Sequence, residues 1–196
     1  MTLSTRKKIV ASAERLMLRQ GLNLTTIEDI CRESGMSKGA LFHYFKSKEE
    51  IAKEVLQSYW SDTLQSLREF SGDESDSAYD SLFKTLDFFE SILLSKERTS
   101  ACLIGNLAQE VSLTNDEIRA TCHKIFSDWL GSLTELITRV SIERHVSTDS
   151  KAVAELIVST VEGAFILLKS SGDFEQPRRI TSQLKACLQL LFNERS

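Results

Sequence analysis

Apolar residues recur along this chain at intervals of three and four, the spacing that gathers side chains onto one face of an α-helix. Ile9, Ala13, Leu16 and Met17 line a first helix, which Gly21 stops. A capping box at Thr25-Thr26-Ile27-Glu28 opens a short second helix with Ile27, Ile30 and Cys31 on one side, ended by Gly35. Ser37 caps a third, from Lys38 to about Tyr44. A second capping box, Ser47-Lys48-Glu49-Glu50, starts a long helix through Ile51, Val55, Leu64 and Leu67, which runs to a polar break at Ser71-Gly72-Asp73-Glu74-Ser75. Leu82, Phe83, Leu86, Phe89 and Leu93 make a fifth helix, and Leu103 to Val111 a sixth. Thr114-Asn115-Asp116-Glu117 is a third capping box, opening a long helix through Ile118, Cys122, Ile125, Trp129, Leu133, Leu136 and Val140. Two more run from about Ser150 to Lys169 and from about Pro177 to Asn193. The pattern predicts an all-α fold of about nine helices.

Composition narrows the picture. With 41% hydrophobic residues the chain has material for a packed core, and a single proline argues against an all-β fold. The richest apolar stretch, Leu156 to Leu168, is interrupted by Ser159, Thr160, Glu162 and Gly163, so no membrane span is expected. The basic N-terminus has no apolar signal core behind it, and the expectation is a soluble, cytoplasmic protein. Residues 1–50 carry nine basic and six acidic side chains, whereas the rest carries fifteen and twenty-two. A positive head on an acidic body suits a polyanion at the head. Cys31, Cys102, Cys122 and Cys187 are widely spaced, without a CxxC pair, so neither zinc nor a disulfide framework is expected. No nucleophile–base–acid set and no phosphate-cradling glycine loop stands out, and the reading is a non-enzyme without metal or cofactor.

Residues 27–45 hold the pattern that matters: a short helix, a three-residue turn containing Gly35, and a second short helix. Ile30, Cys31 and Leu41 supply an apolar seam between the two. Ser37-Lys38-Gly39-Ala40 sets small residues and one cation at a helix start, where free N–H groups favour phosphate. Phe42, His43 and Tyr44 follow. Leu41 and Phe45 take the core-facing positions, which leaves His43 and Tyr44 for another use.

The stretch from Thr25-Thr26-Ile27-Glu28-Asp29-Ile30 through Gly35-Met36-Ser37-Lys38-Gly39-Ala40-Leu41-Phe42-His43-Tyr44-Phe45-Lys46-Ser47-Lys48-Glu49 resembles the DNA-binding domain of TetR-family regulators. The resemblance covers about residues 5–52 with order and spacing intact. It implies a DNA-binding domain over residues 1–50 and an effector-binding and dimerisation domain over 51–196. It further implies a homodimer, with a repressor as the leading role, whose recognition helices enter successive major grooves of a palindromic operator. Thr25, Thr26, Ser37, Tyr44 and Lys48 fall at the family's phosphate-contact positions. Lys38, Gly39, Ala40, Phe42 and His43 fall at positions facing base edges. Phe42 departs from the tyrosine common there and can offer only apolar contact, for instance to a thymine methyl.

In the body, Phe88, Phe89, Phe126, Trp129 and Phe165 concentrate aromatic bulk that suits a hydrophobic effector, with His123 as a polar neighbour. Ser100-Ala101-Cys102-Leu103-Ile104-Gly105-Asn106-Leu107-Ala108-Gln109-Glu110 resembles a segment of a TetR-family branch that includes regulators of electrophile, oxidant or unsaturated-acid response. That resemblance implies a sensing thiol at Cys102, at a helix start where thiolate is favoured. A small buried residue is the competing reading. The apolar stripes Ile157, Val161, Ala164, Phe165, Leu168 and Leu184, Leu188, Leu191 are expected to form the dimer interface, as the last two helices do in the family.

Overall fold

The computed structural model describes residues 4–71, 76–95, 102–111 and 113–193, which form nine α-helices with no strand among them. The helices are α1 (Thr5–Gln20), α2 (Ile27–Ser34), α3 (Lys38–Tyr44), α4 (Lys48–Ser71), α5 (Ala78–Leu94), α6 (Leu103–Val111), α7 (Asp116–Arg144), α8 (Ser150–Ser171) and α9 (Glu175–Asn193). Each predicted helix is found. Of the predicted features, residues 72–75 of the polar break and Ser100 and Ala101 of the Cys102 segment lie outside the described residues.

Two helix starts stand one residue later than predicted, for the same reason. At α2 the cap is Thr26, whose hydroxyl accepts the Asp29 N–H at 3.1 Å while the Asp29 carboxylate accepts the Thr26 N–H at 3.2 Å. Thr25 is unavailable because its own hydroxyl donates to the Gly21 carbonyl at 2.6 Å. At α7, Asn115 Oδ1 accepts the Ile118 N–H at 3.0 Å, and the Thr114 hydroxyl instead donates to Val111 O at 3.3 Å. Ser47 does cap α4, accepting the Glu50 N–H at 3.1 Å, and the Glu50 carboxylate reaches back to the Lys46 N–H at 2.7 Å.

The chain packs as two compact units, with boundaries inside α4 at Leu64 and inside α7 at Ile125. The first unit holds α1 to α3, α4 as far as Leu64, and Cys102–Ile125, which contains α6 and the start of α7. A division after residue 50 follows the sequence motif, but the packing extends this unit along α4 and adds α6 from far along the chain. Within it α1 packs on α2 and on α6, and α2 packs on α3. Ile9, Ala13, Met17, Ile30, Leu41, Phe45, Ile51, Val55, Leu103 and Leu107 are buried. Arg6 ties three helices together: its guanidinium pairs with Glu54 of α4, donates to Tyr44 O at 3.2 Å, and lies 4.5 Å from the Phe45 ring centre.

In the second unit α5, α8 and α9 pack on one another. Lys185 of α9 bridges to Asp87 of α5 at 2.6 Å and also pairs with Glu90. Ile157, Val161, Ala164, Phe165, Leu168, Leu184 and Leu188 are buried within the single chain, and Leu191 is half-buried. The apolar stripe expected at the dimer interface is thus largely covered within the chain itself. A second apolar stripe on α8, Leu156, Ile166 and Leu167 with the half-buried Gly163, is exposed, as is Leu190 on α9.

Candidate nucleic-acid interface

The turn between α2 and α3 depends on Gly35, which adopts φ 70° and ψ 20°. Only a residue without a Cβ enters that left-handed region at no cost, so the helix can end and the chain reverse within three residues. Ser37 then caps α3, its hydroxyl accepting the Ala40 N–H at 3.1 Å. Ile30 on α2 and Leu41 on α3 are both fully buried and form the seam. Cys31 is half-buried beside it, and burial pushes its thiol pKa up, with the Glu28 charge adding to the shift.

With Leu41 and Phe45 turned inward, α3 presents the rest of its surface outward. Lys38, Gly39, Phe42 and His43 are exposed, and Ala40 and Tyr44 are half-buried. Phe42 is 43% exposed, a large ring standing partly in water. His43 and Tyr44 meet edge to face at 5.0 Å. Lys38 is not idle, since its ammonium donates to Glu28 Oε1 of α2 at 2.8 Å. That hydrogen bond raises the Lys38 pKa and, from the other side, holds Glu28 below the ordinary carboxylate value.

The predicted backbone contacts separate. Thr26 and Ser37 are exposed at the two helix starts. Thr25 is 0% exposed and its hydroxyl is committed to Gly21, so its side chain locks the turn and does not reach the surface. Lys48 is half-buried and donates from Nζ to Leu22 O at 2.9 Å. Glu28, Arg6 and Glu110 take part in this region and were not anticipated. Glu28 lies ten residues from Lys38, on the neighbouring helix, and its pairing has no periodic signal.

The predicted effector residues fall in both units. Cys102 and His123 belong to the first, whereas Phe88, Phe89, Phe126, Trp129 and Phe165 belong to the second. Four of the aromatic residues do come together. Phe88 and Phe89 stand 5.4 Å apart, Phe89 and Trp129 4.9 Å, and Phe126 and Trp129 6.2 Å, with Phe70 joining at 5.7 Å from Phe88. His123 is exposed on α7. Cys102 is 7% exposed and its carbonyl accepts the Asn106 N–H at 2.9 Å, which places it at the head of α6. A cavity of about 330 Å³ lies in the first unit, lined by Lys7, Val10, Ala11, Glu14, Glu54, Ser58 and Asp62, none of them a predicted effector residue. Among the described residues no group of three or more His, Cys, Asp or Glu could hold a metal ion, and no helix is long and apolar enough to cross a membrane.

A glycine-hinged pair of short helices, with a buried seam inside and a cation, small residues and aromatic edges outside, defines a helix-turn-helix DNA-binding protein. The chain belongs to the tetR family of bacterial regulatory proteins, whose signature matches residues 9–55, and residues 78–183 match the C-terminal domain of LmrA/YxaF-like transcriptional regulators. It is a transcriptional regulator and not an enzyme. It is 29% identical to the HTH-type transcriptional regulator YxaF of Bacillus subtilis, over 86% of this chain and 87% of that one. It is 27% identical to the HTH-type transcriptional repressor DhaR of a Mycobacterium species, over 84% and 82%. The crystal structure of a TetR transcriptional regulator from Chloroflexus aurantiacus superposes with a TM-score of 0.83 at 25% identity, covering 94% of both chains.

Proposed function

We propose that the chain acts as a homodimeric repressor that sits on a palindromic operator and leaves it when a small molecule reaches the body or Cys102 is modified. The observation that carries the operator reading is the outward face of α3, where Lys38, Gly39, Phe42 and His43 stand exposed over a seam that needs none of them. Thr26, Ser37, Ala40, Tyr44 and Lys48 add backbone and near-groove contacts, and Thr25 acts by fixing the turn. Two heads set half-sites about 34–36 Å apart or a multiple of it. A dimer neutralising roughly six to ten phosphates gives a log–log salt slope of about −5 to −9. The similar DhaR, described as a repressor, favours that sign of regulation.

Two apolar stripes on α8, one buried and one exposed, support dimerisation through the outer one, Leu156, Gly163, Ile166 and Leu167, with the exposed Leu190 of α9 as a further candidate. A C₂ pair buries the same patch on each copy.

For release, Cys102 at the head of α6 is the residue to modify, with a single adduct or sulfenic acid as the trigger. A disulfide to Cys122 is disfavoured, because burial pushes that thiol to about 11 and leaves it a poor nucleophile at neutral pH. The aromatic group of Phe88, Phe89, Phe126 and Trp129, with Phe165 as a further candidate, favours a second reading in which a reversible hydrophobic ligand does the same work. A gel shift on the DNA upstream of its own gene, with and without N-ethylmaleimide or peroxide, separates them. Binding that collapses on treatment, and survives it in Cys102→Ser, establishes the thiol switch. Collapse that persists in Cys102→Ser rules it out, and indifference to both reagents leaves the reversible ligand.

A further inference from the structure

Gly21, the first residue after α1, donates its N–H to Met17 O at 2.9 Å, and the next two amides, of Leu22 and Asn23, look outside the helix for an acceptor. Leu22 is buried, so its amide needs an acceptor from the protein. That acceptor comes from the end of α6. Glu110 Oε2 accepts the Leu22 N–H at 2.9 Å and Oε1 accepts the Asn23 N–H at 2.6 Å, across 88 and 87 residues of sequence. The carboxylate seats directly against Gly21, where a Cβ would stand 2.6 Å from Oε2, and Gly21 also needs its freedom for φ 79°. On the other side of the same residue, Lys48 Nζ donates to Leu22 O at 2.9 Å. The Leu22 backbone is thus gripped at N–H by α6 and at C=O by α4.

We infer that Glu110 is a positioning residue for DNA recognition, although it lies outside the helix-turn-helix and touches no part of its exposed face. Charge-assisted bonds to two consecutive amides fix the Gly21–Thr25 turn. The turn delivers Thr25, locked onto Gly21 O, and Thr26, the cap of α2. Its position therefore sets where α2 begins, and through the buried Ile30 and Leu41 it sets where α3 lies. Without the carboxylate the two amides turn to water, the turn opens, and the recognition helix loses its fixed register. The inference rests on the DNA-binding head and not on the identity of the effector or the trigger.

Glu110→Gln is the direct test in the full chain, because the amide keeps one acceptor oxygen and turns an N–H₂ against the other backbone N–H. The duplex is the sequence that the wild-type protein itself selects from a random library. Two measurements are made at a temperature where circular dichroism shows wild type and variant fully folded. Amide exchange at Leu22 and Asn23 is expected to speed up at least about tenfold, with the α8 and α9 amides unchanged. Affinity for the selected duplex is expected to fall about tenfold, and affinity for a scrambled duplex to fall less. A residue that only adds stability would lower the melting temperature and leave affinity at that temperature untouched, and this outcome overturns the inference. Unchanged exchange at the two amides also overturns it, whatever the affinity does. Glu110→Asp, which retracts the carboxylate by one methylene, gives a second series with an intermediate loss expected if Glu110→Gln does not fold. Failure of the wild-type chain to select any duplex would count against the DNA-binding reading itself, and is distinguished from the variant's failure alone.

Discussion

A carboxylate placed on the outer face of α8 should take the proposed dimer apart. Leu156, Ile166, Leu167 and Leu190 are between 43% and 69% exposed, so about half of each side chain is still available for burial. Complete burial of an aliphatic side chain stabilises by about 1.5–3 kcal/mol, which gives roughly 1 kcal/mol for each half. Two-fold symmetry doubles the four residues, so the face contributes on the order of 8 kcal/mol before the cost of association is subtracted. Leu167→Asp removes two of those contributions, about 2 kcal/mol, and adds two unpaired carboxylates whose desolvation costs at least as much again. The sum, roughly 4 kcal/mol or more, weakens dimerisation by about a thousandfold. Sedimentation equilibrium from sub-micromolar to about 100 µM reads this directly. Wild type should run at twice the 22.1 kDa chain mass, and Leu167→Asp and Leu190→Asp at the chain mass itself. Leu113, 99% exposed between α6 and α7, gives the control, and Leu113→Asp should stay dimeric. Dimers of both α8 and α9 variants persisting at the lowest concentration would remove this face from the interface.

Lys38→Ala should weaken binding to the selected operator about ten- to a hundredfold in a fluorescence titration, and by less on scrambled DNA. An equal loss on every sequence would make Lys38 a phosphate contact. Tyr44→Phe, losing one hydroxyl, should cost about fivefold in the same titration, and an unchanged constant would take Tyr44 off the contact surface. Asp29 and Asp173 titrate below the ordinary value, Asp29 chiefly through the Thr26 hydroxyl and Asp173 chiefly through the Glu175 N–H. A depressed folded-state pKa contributes stability that is complete above the unfolded value near pH 3.9 and is lost as pH falls through the folded one. Asp29→Asn should therefore lower the urea midpoint at about pH 6 by more than it does near pH 2. An equal gap at both would show that the charge of Asp29 does not support the α2 cap.

The helix-turn-helix was legible because every signal it uses is local: a glycine where φ must be positive, a serine cap, and apolar positions three and four apart. The caps of α2 and α7 were misplaced by one residue because two adjacent residues could each cap, and the choice is made by bonds to Gly21 and Val111. The stripes of α8 and α9 pose a different difficulty. Both α8 and α9 are apolar on more than one side, and periodicity ranks Ile157 and Val161 no differently from Leu156 and Leu167. Which side meets the chain's own α5 is decided by tertiary packing. Glu110 left no trace at all, since a carboxylate in a polar-ended helix announces nothing about an amide 87 residues away. The Phe88–Phe89–Trp129 cluster was half visible: the bulk could be counted, but the part of Phe70 could not.

The first unit takes in Cys102–Ile125, and this bears on how the protein is made. A chain leaving the ribosome completes its helix-turn-helix sequence long before Glu110 follows, 87 residues behind Asn23. At about 5–20 residues per second that interval lasts roughly 4–17 s. During it Leu22 and Asn23 have no acceptor, and the face of α1 that α6 covers lies open to other apolar surfaces. The DNA-reading head is thus among the first segments synthesised, yet it is finished only when a much later helix closes a long loop back onto it. Nascent chains arrested between α4 and α6 should hold a loosened head, bound by holding chaperones rather than by DNA.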